Sequence, residues 1–180
     1  NDAKQLLPFL SQEVVQITRT RIALQTSQSG VDELISNLPD SAKKTPGLIF
    51  DRFKFRINKN FLDSAETLLI LNSTSSVNLG RPAAWLEARA FLARRALTNG
   101  NASKAYQIAR KHFCRSKDEK VLSKVADLEW FSGFLAVSFL NDPEKALLHF
   151  HTFSKLVNNN ANKAKANYWL GRTYEILGEK

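Results

Sequence analysis

Residues 142–150, Asp142-Pro143-Glu144-Lys145-Ala146-Leu147-Leu148-His149-Phe150, carry the reading that decides the fold. Asp142 is a residue type that caps helices, and Pro143 suits the first helical position, where a backbone N–H would have no partner. Behind them Ala146, Leu147, Phe150, Phe153 and Leu156 recur at helical spacing. The triplet Glu144-Lys145-Ala146 has counterparts upstream in Ser103-Lys104-Ala105 and Asp63-Ser64-Ala65, so a small residue returns after 40 and then 41 positions. Phe131-x-Gly133 and Trp169-x-Gly171 are related in the same way, 38 residues apart. A small residue at a fixed point lets two helices approach while a neighbouring aromatic fills the groove. Such a recurrence predicts helix hairpins stacked in one direction, each burying its apolar face on the next.

The same periodicity extends outward from this stretch. Upstream, Val121, Val125, Leu128, Phe131, Leu135 and Leu140 predict a long, largely buried helix that follows the charged turn Arg115 to Lys120. Ala105 to Phe113 gives its partner, placing Cys114 at a helix end, and Asn99-Gly100-Asn101 separates that partner from a helix through Trp85, Phe91 and Leu97. Pro82 opens that helix after a polar loop, Asn72 to Gly80. Two further helices cover Leu48 to Ile57 and Phe61 to Leu71, with Asn58-Lys59-Asn60 as their turn. Downstream, Asn158-Asn159-Asn160 precedes a last helix carrying Ala164, Ala166, Tyr168, Trp169 and Tyr174. Before residue 48 the pattern is less regular: a helix from about Ser11 to Gln25, another after Gly30 that Pro39 ends, and a loop from Asp40 to Gly47. The expectation is one all-α superhelical domain over 1–180, a solenoid of stacked antiparallel helix hairpins, with lead-in helices over 1–47 and repeat-like pairs over 48–180. The period exceeds the roughly 34 residues of a tetratricopeptide repeat, so the pattern is tetratricopeptide-like and degenerate.

Composition agrees. Hydrophobic residues make up 43% and charged residues 24% of the 180, ordinary for a globular protein with a core and against a disordered or fibrous chain. Few Gly and Pro beside many Ala and Leu favour helices. No apolar run approaches the roughly 20 residues of a membrane span, and the N-terminus has no basic-then-apolar export pattern. Methionine is absent and the last residues read as a helix end in mid-pattern. Together these lead to the expectation that the chain is part of a longer polypeptide.

Chemistry-bearing patterns are sparse. Cys114 is the single cysteine, so neither an intrachain disulfide nor a cysteine metal cluster can form, and with no evident orienting acid it reads as structural. Of the three histidines, His149 and His151 are two apart and point to different sides of a helix, unlike metal-binding pairs four apart. No phosphate-binding glycine loop occurs, and no cofactor is expected. Glu129 is the most tempting acid, because its neighbour Trp130 suggests an apolar setting that raises a carboxyl pKa; the plainer reading, which we favour, is a partly exposed helix residue. The net charge of +9 and a pI near 9.8 imply attraction to polyanions in general. Lys43-Lys44, Arg94-Arg95 and Arg110-Lys111 are spread out and interleaved with acids, which reads as solvated surface. No recognition-helix or stacking-platform pattern accompanies them, so no specific nucleic acid is expected.

One further signal lies in an ordered set of short motifs: Ile49-Phe50-Asp51-Arg52, Leu79-Gly80-Arg81-Pro82 through Trp85, Leu92-Ala93-Arg94-Arg95-Ala96-Leu97, Ala105-Tyr106-Gln107-Ile108-Ala109, Glu129-Trp130-Phe131-Ser132-Gly133, Phe139-Leu140-Asn141-Asp142-Pro143, Ala146 to Phe150, and Ala164 to Arg172. Over Leu48 to Gly178 the chain thereby resembles the superhelical region that precedes the catalytic domain of soluble lytic murein transglycosylases. That resemblance implies a U-shaped or ring-like α-superhelix in the periplasm, joined to a downstream lysozyme-like domain. It implies that this domain cleaves peptidoglycan glycan strands to 1,6-anhydro products through one glutamate in a Glu-Ser motif. A single carboxyl with a raised pKa meets that demand. None of the nine glutamates here precedes a serine, so no catalytic residue carries over, and the segment is expected to be inactive by itself. Peptidoglycan bears peptide carboxylates, and the basic charge suggests non-specific retention of strands, with Arg89, Arg94, Arg95, Arg110 and Lys111 as candidate contacts. The other reading is a free-standing tetratricopeptide-like adaptor that binds a protein or peptide.

Overall fold

A computed structural model describes residues 11–178. Among the described residues the protein is all-α, with no strand. In chain order the helices are α1 (Gln12–Gln25), α2 (Val31–Ser36), α3 (Asp40–Lys43), α4 (Pro46–Asn58), α5 (Leu62–Asn72), α6 (Ser76–Leu79), a 3-10 turn at Pro82–Trp85, α7 (Leu86–Thr98), α8 (Ala102–Arg110), α9 (Glu119–Ser138), α10 (Pro143–Leu156) and α11 (Asn160–Leu177). No described helix is long and apolar enough to cross a membrane.

Backbone contacts divide the chain into two compact units. The first runs to Asn72 and includes Val77–Gly80; the second comprises Ser73–Ser76 and Arg81 onward. The described lead-in helices before residue 48 fall within the first unit. The reason is packing: α1 lies on both α2 and α4, and α4 on α5, so the lead-in helices share a core with the helix that starts at Pro46. That core holds Ala23, Leu24, Val31, Leu38, Ala42 and Leu48, with Ile17, Ile35 and Phe55 against it. The Asp40 to Gly47 stretch, expected as loop, contains α3 and the first turn of α4, because Pro46 takes the N-terminal position that proline tolerates. Across α1 and α4, the buried Asp51 accepts from Arg21 Nε at 2.6 Å and from Gln25 Nε2 at 3.1 Å, which satisfies a charge that burial would otherwise penalise.

In the second unit each helix from α7 to α11 packs on the next. Four starts are fixed by side-chain caps: Asn101, Asp118, Asp142 and Asn159 accept the backbone N–H of Lys104, Val121, Lys145 and Asn162 at 2.8–3.0 Å. Each supplies a partner for an N–H that has none inside the helix, worth about 1 kcal/mol. The recurring small residues are at packed positions, for Ala65 in the first unit and Ala105 and Ala146 in the second are all completely buried. Ala136, Ala146 and Phe150 form a core where α9 meets α10, with Trp130, Trp169 and Tyr106 around it. Phe150 stacks on Trp169 with ring centroids 5.6 Å apart, and Lys165 Nζ lies 3.3 Å from the Trp130 ring centre.

Two expectations change here. The helix through Ala105 stops at Arg110 instead of Phe113: Phe113 takes φ 48° and the Cys114 N–H donates to His112 Nδ1 at 3.0 Å, which turns the chain away from the helix axis. Gly133 and Gly171, paired by sequence, have different surroundings. A Cβ on Gly133 would meet the Phe150 ring, whereas no described atom lies within 4 Å of one on Gly171.

Candidate functional site

Glu129 is on the face of α9 that also carries Val125, Ala126, Ser132, Gly133 and Ala136, all buried. A carboxylate in that register must find donors, and two histidines supply them. His112 Nε2 is 2.8 Å from Oε1, and His149 Nδ1 is 2.6 Å from Oε2. The tautomers follow from the partners. His112 Nδ1 accepts the Cys114 N–H, so its Nε2 carries the hydrogen donated to Glu129. An ionised carboxylate only accepts, so His149 donates through Nδ1, and in the neutral ring Nε2 accepts from the Tyr106 hydroxyl at 3.1 Å. Tyr106 comes from α8, His112 from the segment after it, Glu129 from α9 and His149 from α10, so one carboxylate joins four stretches of chain.

Burial by itself would push the Glu129 carboxyl up. The hydrogen bonds from His112 and His149 outweigh burial and hold it at about 2. The favoured sequence expectation is corrected, since Glu129 is buried and not partly exposed, and the alternative of a raised pKa falls as well, since the pKa is lowered. A group with this pKa has no proton to give to a glycosidic oxygen near neutrality. Its work is to orient two imidazoles and tie helices together. Burial pushes the Tyr106 hydroxyl up, and the Cys114 thiol likewise, which keeps the thiol protonated and poorly nucleophilic.

His151, two residues from His149, faces outward and meets Tyr174 at 3.0 Å, so the pair diverges as its spacing requires. Among the described residues no group of three or more His, Cys, Asp or Glu side chains is placed to hold a metal ion.

The five basic residues expected at a glycan surface separate. Arg89 is wholly buried: its guanidinium donates to the Ile108 carbonyl and to Ser73 Oγ, the latter at 2.7 Å, and burial lowers its pKa to about 9. Arg89 is thereby corrected from a surface contact to an internal clamp. Arg94 and Arg110 are exposed, the first with its guanidinium 5.7 Å from the Phe131 ring centre and the second 5.5 Å from that of Tyr106. Arg95 and Lys111 are half-buried.

Sequence reasoning missed His112 and His149 as partners of Glu129, because they are 17 and 20 residues away along the chain. The available signal was the register: Glu129 falls on the small-residue face of α9, a place for which a lone charge needs a reason. No protein-family profile, curated protein sequence or solved structure matches this chain.

Proposed function

We propose that this chain is a non-catalytic superhelical scaffold segment of a periplasmic lytic transglycosylase, in which a separate lysozyme-like domain cleaves peptidoglycan to 1,6-anhydro products. The observation that carries the reading is the ordered set of motifs from Ile49-Phe50-Asp51-Arg52 to Ala164 through Arg172. Their structural setting supports it. Asp51, Ala105, Gly133 and Ala146 are buried where helices meet, and Asp142-Pro143 opens a helix, so the motif residues do architectural work. Glu129, held ionised between two histidines, belongs to the same architecture. Arg94 and Arg110 remain the exposed cations suited to retaining carboxylate-bearing strands by screened attraction.

The test is retention on purified sacculi. The chain should sediment with them at low salt, be released at high salt, and liberate no 1,6-anhydro fragments. Failure to sediment at low salt would leave the adaptor reading, and steep salt-dependent binding to duplex DNA in its place would favour a nucleic-acid binder. A parent reading frame encoding a Glu-Ser lysozyme-like domain after Lys180 would support the scaffold reading.

A further inference from the structure

The first unit contains a cavity of about 210 Å³ between α1, α2, α4 and the start of α5. Leu24, Ile35, Phe55 and Phe61 make its apolar walls, and Arg52 and Arg56 are its two cationic lining residues. The two arginines are four residues apart on α4, so they share one helix face, an arrangement of like charges that costs stability unless something negative faces it. Asp32, exposed at the lining, is the one acid there. Burial first, and the charge of Arg52 second, lower the Arg56 pKa, with Asp32 offsetting part of this. Arg52 Nε is buried and has no hydrogen-bond partner among the described residues. A buried guanidinium N–H without an acceptor costs about 1–3 kcal/mol, a cost that a bound anion would remove.

We propose that this cavity is a binding site for a small carboxylate with an apolar flank, such as the C-terminal end of a short peptide. Two guanidinium groups on adjacent turns match the oxygens of one carboxylate, whose charge both relieves their repulsion and gives Arg52 Nε an acceptor. The aromatic and aliphatic walls take the flank. The charge on Asp32 disfavours a dianion and tolerates a monoanion, which selects carboxylate over phosphate. The site uses residues of the first unit alone and does not rest on the scaffold reading.

The experiment is calorimetric titration of the full chain with N-acetyl-alanyl-alanine, its C-terminal amide, acetate and inorganic phosphate. The free acid should bind, more tightly than acetate, and the amide should not. Arg52→Gln and Arg56→Gln should each weaken the acid by roughly tenfold or more, the worth of one charge-assisted hydrogen bond. Without ligand both variants should melt at or above the unmodified protein, since each removes one of two facing cations. Phe61→Ala, at an exposed rim position, should weaken the acid toward acetate while leaving acetate unchanged. Equal binding of acid and amide, no binding of the acid, or tighter binding of phosphate overturns the proposal. The acid-against-amide comparison needs no variant, so it decides even if a substitution impairs folding.

Discussion

Gly133 on α9 lies directly beneath the ring of Phe150 on α10: a Cβ built on the glycine would stand 2.6 Å from Phe150 Cε1. The ring has no room to retreat, because Phe150 is fully buried and stacked on Trp169. Glycine here is the condition for the α9 and α10 crossing, through which Ala136 and Ala146 also meet. Gly133→Ala should therefore destabilise the protein by about 1–3 kcal/mol, as overpacking does. Gly171→Ala, with open space around its Cβ, should stabilise by about 1 kcal/mol through helix propensity. Urea unfolding followed by helical circular dichroism measures both; equal effects would contradict the different surroundings.

Glu129→Gln removes the charge that two histidines bind while keeping the shape. At neutral pH it should cost about 1.5–3 kcal/mol, the range for hydrogen bonds to a charged group. The sign of the pH dependence follows from the lowered carboxyl. The folded state holds Glu129 at about 2, below its ordinary 4.5, so its contribution is complete above the ordinary value and is lost as pH falls toward 2. The stability gap between the parent protein and Glu129→Gln should close as pH falls from about 4.5 toward 2. A gap that widened over that range would disprove the clamp.

Arg89 and its exposed neighbour Arg94 should respond in opposite ways. Arg89→Ala removes the hydrogen bonds to the Ile108 carbonyl and Ser73 hydroxyl and opens a cavity, so a loss of roughly 3 kcal/mol is expected. Arg94→Gln combined with Arg110→Gln should alter stability by less than about 1 kcal/mol, since each gives up only a ring contact at the surface. That double variant should reduce low-salt retention on sacculi. Thermal melts and sedimentation separate the two behaviours.

Cys114 is buried, and burial raises its thiol pKa. Alkylation by iodoacetamide near pH 8 should be much slower in the folded protein than in urea, where the thiol regains solvent and its ordinary acidity. Fast labelling of the folded chain would mean that the His112–Cys114 turn opens readily.

The long helices of the second unit and their starts were determined by the sequence itself. Apolar spacing, the caps Asn101, Asp118, Asp142 and Asn159, and Pro143 act within one turn of chain, so their physics is contained in neighbouring residues. The buried set Ala65, Ala105 and Ala146 was legible for the same reason, as a period of packed small residues. Tertiary structure decided the rest. Whether Glu129 is an acid or a fixed anion depends on His112 and His149, which only the packing of α9 against the segment after α8 and against α10 brings within 3 Å. Whether Arg89 faces solvent or the interior depends on Ile108 and Ser73, and whether Gly133 matters and Gly171 does not depends on what crosses each. Charge state and burial are properties of an environment, and that environment is assembled from residues far apart in the chain.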